Sequence, residues 1–339
     1  METDLQLAQR AAMTGAAVAL PHFEALAELS REVKADGSVV TAADRAVESA
    51  IRDVLTAARP SDAILGEEEG QTGSAGRRWI IDPIDGTALF VAGDNRWLIL
   101  IALEVDGEVT TAVAAHPAQG SVWWATRGGG AFEGRFVGGR VVAETPVHVT
   151  TNGAAGDPPY NGTATPTPTA TGTTTGTGTV TGPAPLTTPV PPTARVPSTA
   201  PAPQLAAPKP IREPGIIPTE SPLTHIPEMS EVVAGSRLGV VPEEWNRDLV
   251  APLKRLTPAL PWPIHPALMV ARGDLDLAVQ TGGQIWDFAA TSLIVREAGG
   301  SYSGINGRPE PGPGASVYAR SDALRLAALD VVSGSLLSP

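Results

Sequence analysis

The stretch Trp79-Ile80-Ile81-Asp82-Pro83-Ile84-Asp85-Gly86-Thr87 decides how the rest of the chain is read. An apolar run ends in a carboxylate, a proline stiffens the exit, and a second carboxylate follows three residues later. Strand ends of this kind are where α/β folds bind their ligands. Two carboxylates held that close repel each other unless a divalent cation lies between them. The pair includes no histidine or cysteine, so oxygen-only ligation points to Mg²⁺ or Mn²⁺ rather than zinc. Gly86 and Thr87 then open a short helical segment, whose free backbone N–H groups suit a phosphate. The plainer alternative is that Asp82 and Asp85 only cap a turn. It fits poorly with a carboxylate pair on a buried apolar strand followed directly by Gly-Thr.

The spacing separates two chemistries. Phosphatases that form an aspartyl-phosphate also show an acidic pair before Gly-Thr, but with a single residue between the two acids. Here Pro83 and Ile84 both intervene, which favours a metal-activated water over a covalent intermediate.

Outward from this segment, residues 63–65 form a short apolar strand that ends in Gly66-Glu67-Glu68-Glu69. Before it, Thr41-x-x-Asp44 opens a helix with Val47, Ile51, Val54 and Leu55 on one face, closed at Pro60. Residues 5–29 are an Ala-rich helix with a break expected at Pro21. Beyond the acidic pair, residues 97–105 and 108–115 are apolar runs joined by Asp106-Gly107, a strong hairpin signal. Residues 121–126 continue the sheet, and Gly128-Gly129-Gly130 is expected to end it.

The second half predicts a strand at Val232-Val233, helices over 245–256 and 267–271, and a strand over 275–279. A helix over 286–298 follows, stopped by Gly299-Gly300 as a left-handed cap. Strands around Tyr302 and Val317 and a last helix from Asp322 complete the chain. Helices and strands interleave while the hairpin demands antiparallel pairing, so the fold class is α/β, with layers of helix and mixed or antiparallel sheet.

Composition bounds the rest. The chain has 339 residues, 33 of them proline and 36 glycine, and no cysteine. Disulfides, thiolate chemistry and Cys-based metal sites are excluded. The formal charge is −12, and no Lys/Arg cluster offers a nucleic-acid surface. An acidic surface repels an anionic substrate, so a local cation must reverse the sign at the site. The acidic N-terminus lacks the basic start of a signal peptide, and the longest apolar runs are too short to span a bilayer. A cytoplasmic protein without a membrane partner is expected.

Between about 151 and 210 the chain is nearly all Thr, Pro, Gly, Ala and Ser, a composition that cannot bury enough surface to offset its ordering entropy. The expected organisation is an N-terminal lobe over 1–148 that binds metal and phosphate, a disordered insertion over 149–227, and a C-terminal lobe over 228–339 that completes the metal site. The insertion reads as a tolerated surface loop. The Asn161-Gly162-Thr163 sequon within it reads as a chance match.

Four blocks together resemble the inositol monophosphatase family of lithium-sensitive, metal-dependent phosphatases: residues 34–44, Gly66-Glu67-Glu68, residues 79–90, and Trp286-Asp287 through Gly300. The resemblance implies a two-lobed sandwich of alternating layers that hydrolyses a small phosphorylated metabolite and forms a homodimer. It implies two or three Mg²⁺ ions held by Glu67, Asp82, the Ile84 carbonyl, Asp85 and Asp287, with Mn²⁺ as a substitute. Without the resemblance, Asp287 reads equally as a helix N-terminal charge. The catalytic group would be Asp44, Thr87 and Glu67, with Asp44 and Thr87 orienting and deprotonating the attacking water. Asp44 also reads as a cap, and the two readings are compatible. Gly86 and Thr87 would bind the substrate phosphate.

His116-Pro117-Ala118 through Phe132 looks most like the histidinol-phosphatase branch of that family. Two departures stand out. Ala88-Leu89-Phe90 replaces an Asn-aromatic pair, and residues 262–266 replace a Gly-Ser or Gly-Asp pair beside the substrate pocket. His265 is given no role. A catalytically silent relative that binds phosphorylated metabolites or partners is the alternative function.

Overall fold

The computed structural model describes residues 2–26, 31–33, 39–137, 140–149, 226–242 and 245–336. The turn expected over 34–38, the sequon, and all but the edges of the Thr/Pro-rich insertion lie outside them.

Period-two alternation sorts the apolar residues into layers. The large sheet runs in the order Arg140–Val147, Gly130–Val137, Ser121–Thr126, Glu108–His116, Leu98–Val105, Arg77–Asp85, Ala63–Gly66 and Gly70–Thr72. Its neighbours are antiparallel except Ala63–Gly66 and Arg77–Asp85, which run parallel. Trp79, Ile81, Ile99, Ile101 and Val113 turn to one face and pack with helices Asp4–Glu24 and Ala42–Ala58. Ile80, Leu98, Leu100, Ala112 and Ala114 turn to the other face, against helices Pro266–Arg272 and Ile285–Glu297. Successive side chains of a strand point to opposite faces, so one apolar run builds two cores.

Beyond that helix pair lies a second mixed sheet, ordered Leu238–Val241, Leu277–Gln280, Ser316–Ala319 and Ser301–Gly304. Ala278 and Tyr318 face the helix pair. Leu277, Val279 and Val317 face an outer trio of helices, Ile226–Val233, Arg247–Leu256 and Asp322–Leu336. The fold is therefore the expected α/β layering, in five layers alternating helix and sheet. No helix among the described residues is long and apolar enough to cross a membrane.

Four local readings change. Val232-Val233 ends a helix rather than forming a strand: Met229 and Val233, four apart, both pack into the outer core, so helical spacing overrides β-branched propensity. Gly128 and Gly130 have φ of 72° and 82° and turn the chain into a further strand instead of ending the sheet. Pro21 lies inside its helix, which continues to Glu24. Strand Arg77–Asp85 does not stop at Asp82: pairing skips from Asp82 opposite Leu100 to Asp85 opposite Leu98. Pro83 has no N–H for the ladder, and the skip is a bulge.

Candidate metal and phosphate site

Parallel pairing places the site. With Gly66 opposite Ile81, the strands Ala63–Gly66 and Arg77–Asp85 leave the sheet at the same edge. Glu67, one residue past the first, thus emerges beside Asp82 in the second. Asp82 is 1% exposed; Glu67, Asp85 and Asp287 are half-buried. The bulge shapes the acidic pair, since the Ile84 N–H donates to Asp82 Oδ1 at 3.1 Å.

Asp287 arrives from the middle helix layer. It is the third residue of Ile285–Glu297, and one of its oxygens accepts the Gln284 N–H as a helix cap. The preceding Gly283 has φ 155°, and a Cβ there would lie 2.7 Å from Phe288 Cζ and 3.0 Å from Asp287 Oδ2. Only glycine fits so close to this carboxylate. One oxygen each from Asp82, Asp85 and Asp287 lie within 4.8 Å of one another.

The electrostatics follow from that crowding. Burial pushes the Asp82 carboxyl well above the usual carboxylate range, helped by the charges of Glu67, Asp85, Asp287 and Asp44. Burial and the charges of Asp287 and Glu67 do the same to Asp85. Glu67 is therefore within electrostatic reach of both aspartates. A partly buried set of mutually repelling carboxylate oxygens fits a hard divalent cation, which would favour their ionised forms.

A second group adjoins the first. Asp44 Oδ2 accepts from the Thr41 N–H at 2.8 Å and lies 2.6 Å from the Thr41 hydroxyl. Thr41 in turn caps the helix through the Ala43 N–H. Asp44 Oδ1 lies 3.0 Å from the Thr87 hydroxyl, which is also 3.1 Å from the Ile84 carbonyl oxygen. The single hydroxyl proton can serve only one of these acceptors at a time. Asp44 thus caps its helix and touches Thr87 together. Gly86 has φ 84° and begins the short helix Thr87–Val91.

Two features escaped the sequence reading. Glu48 is fully buried, pairs with Arg52 at 2.8 Å, and accepts the Glu68 and Glu69 N–H groups at 2.7 and 3.0 Å. It fastens the loop that presents Glu67. The signal was a Glu–Arg pair at i,i+4 beside Val47, Ile51 and Leu55, on the apolar side of the helix. The other feature is the role of His265: it is buried and caps helix Pro266–Arg272, its Nδ1 accepting from Ala267 N–H at 3.2 Å. Burial holds His265 at about 3 and His116, also buried, at about 4.

A layered fold with an oxygen-only acid cluster at one sheet edge defines a metal-dependent phosphatase scaffold. The chain belongs to the inositol monophosphatase family, whose pattern matches residues 1–156 and 266–332; this is a family of metal-dependent phosphomonoesterases. A histidinol-phosphatase of Streptomyces coelicolor is 29% identical over 92% of this chain and 90% of its own length. A glucose-1-phosphate thymidylyltransferase of Streptomyces griseus is 48% identical over 39% of this chain; the match spans about half of that relative, 51% of its length. The IMPase of Thermotoga maritima shares the fold, with a TM-score of 0.61, 97% of this chain and 96% of that one covered, and 19% identity.

Proposed function

We propose that this chain is a Mg²⁺-dependent phosphomonoesterase that hydrolyses a small phosphate monoester of the histidinol phosphate or inositol phosphate type. The observation that carries the reading is the meeting of the Asp82, Asp85 and Asp287 oxygens within 4.8 Å, beside the Thr87–Asp44 contact at 3.0 Å. Glu67, Asp82, the Ile84 carbonyl, Asp85 and Asp287 would hold two or three Mg²⁺ ions, and Mn²⁺ would suit the same oxygen donors. Bound there, the ions offset the phosphate charge and make water a better nucleophile.

The chain's own groups do the rest. Thr87 and Asp44 orient the attacking water and take its proton. Glu67 lies on the same edge and assists. The first-turn amides of Gly86 and Thr87 hold the phosphate oxygens. Water attacks phosphorus as the bond to the alcohol oxygen breaks, and no side chain becomes phosphorylated. The histidinol-phosphatase relative, aligned over 90% of its length, supports that branch. We place the enzyme in the cytoplasm as a homodimer.

A phosphate-release screen tests this reading. Histidinol phosphate, inositol 1-phosphate, fructose 1,6-bisphosphate and phosphoadenosine phosphate are each supplied with Mg²⁺ and with EDTA. Release from at least one with Mg²⁺, and from none with EDTA, is expected. Metal-independent release refutes the mechanism, and no release from any of the four favours a silent binding protein.

A further inference from the structure

The glycine pair ahead of Asp287 also supports an aromatic side chain. Trp245 is 63% exposed, more than any other large apolar side chain among the described residues. Its indole lies on Gly282, where an added Cβ would sit 3.4 Å from Trp245 Cε3 and 3.9 Å from Cζ3. One residue further on, an added Cβ at Gly283 would sit 3.0 Å from the Asp287 carboxylate. Indole and carboxylate therefore flank consecutive residues, which puts them within about 13 Å of each other, given the two Cα–Cβ bonds and 3.8 Å between successive Cα atoms. A small phosphate ester whose phosphate meets the acid cluster projects its alcohol half into that interval.

The loop that carries Gly282 is anchored at its start. The Thr281 N–H donates to the Val241 carbonyl at 2.9 Å and its hydroxyl to the Pro242 carbonyl at 2.7 Å. These bonds tie the glycine loop to the strand end that leads to Trp245. Nearby aromatics are already engaged. Trp262 has the Arg96 guanidinium 4.1 Å above its ring and donates its Nε1–H to the Val240 carbonyl at 3.1 Å. Trp286 is half-buried against the middle core. Trp245 alone among these three offers an open ring. An open indole gains most from a flat, π-bearing partner.

We propose that Trp245 is a specificity-determining residue that stacks on a planar ring in the alcohol half of the substrate. The proposal rests on the reading of the acid cluster as the phosphate end of the site. The substrate class is thereby a phosphate monoester whose leaving alcohol carries an unsaturated ring, such as imidazole, rather than a saturated polyol.

The test compares wild type with Trp245→Ala, Trp245→Leu and Trp245→Phe. kcat/KM is measured with Mg²⁺ on histidinol phosphate, whose alcohol bears an imidazole, and on glycerol 2-phosphate, whose alcohol bears no ring. The ratio of the two is expected to fall about tenfold in the Ala and Leu variants, mostly through KM, and to be largely restored in the Phe variant. Calorimetric titration of the four proteins with histidinol needs no turnover, and binding is expected to weaken in the same order. If wild type releases no phosphate but still binds histidinol through Trp245, the phosphatase reading falls and the aromatic wall stands. A kinetic ratio unchanged in all variants, or histidinol binding that is absent or indifferent to residue 245, overturns the proposal.

Discussion

At the scale of single residues, the site is a problem of like charge. Asp82 and Asp85 are raised well above ordinary carboxylates by burial and by the charges of the carboxylates around them, Glu67 and Asp287 acting on both, so each loses part of its charge unless a cation shares it. Asp85→Asn removes one negative oxygen while keeping shape and the strand pairing to Leu98. Turnover is expected to drop by roughly three orders of magnitude or more, with far-UV circular dichroism and melting temperature retained. Near-wild-type turnover would remove Asp85 from the chemistry.

Much of this was legible because Asp82, Asp85 and Thr87 are neighbours in sequence, and local spacing is what a sequence displays. Glu48 was not, since a glutamate on a helix reads as solvated until the loop it fastens is known. Trp245 read as the first residue of a helix. The helix in fact begins at Arg247 with Asn246 as its cap, which frees the indole to lie on Gly282.

Elements enter through the devices that aim these residues. Two strands running parallel deliver Glu67 and Asp82 to one edge, and a bulge at Pro83 and Ile84 lies between Asp82 and Asp85, which re-enters the ladder opposite Leu98. Helix Ile285–Glu297 brings Asp287 in by its first turn, and the approach depends on Gly283. A methyl there would enter Phe288 and the Asp287 carboxylate in a backbone conformation that L side chains rarely adopt. Gly283→Ala is therefore expected to cost about 1–3 kcal/mol of stability and to lower kcat about a hundredfold by displacing Asp287. Thermal melts and steady-state kinetics read the two effects separately; a variant as active as wild type would show that this loop does not set the carboxylate. The elements themselves were mostly visible in apolar periodicity. The bulge and the helix at Val232-Val233 were not, because both depend on partners far along the chain.

For the whole molecule, two sets of buried groups oppose each other in pH. Without cation, Asp82 and Asp85 have raised folded-state pKa values, so the stability they contribute is present at acidic pH and lost as pH rises through those values. His116 and His265 are depressed to about 4 and about 3. Their contribution is present above the ordinary histidine range, near 6.5, and lost as pH falls toward 4 and below. Melting temperatures with EDTA should thus decline on both sides of a weakly acidic optimum. Mg²⁺ should raise them little at pH 5 and more at pH 8, while leaving the acid limb unchanged. A Mg²⁺ effect that does not grow with pH would separate the carboxylates from cation binding.

The middle helix layer has a consequence for how the chain is made. One face of the large sheet, with Leu98, Leu100, Ala112 and Ala114, is covered by helices that follow residue 265. On a ribosome, that face is complete long before its cover is synthesised. During translation the first half of the protein therefore presents a broad apolar surface with nothing of its own to place on it, the kind of surface that aggregates or recruits chaperones. The delay is lengthened by the Thr/Pro-rich tract, every residue of which is translated before Asp287. Cells that make this protein quickly would need to shelter its nascent chain, and a product truncated before residue 265 would keep that apolar face uncovered and lack Asp287.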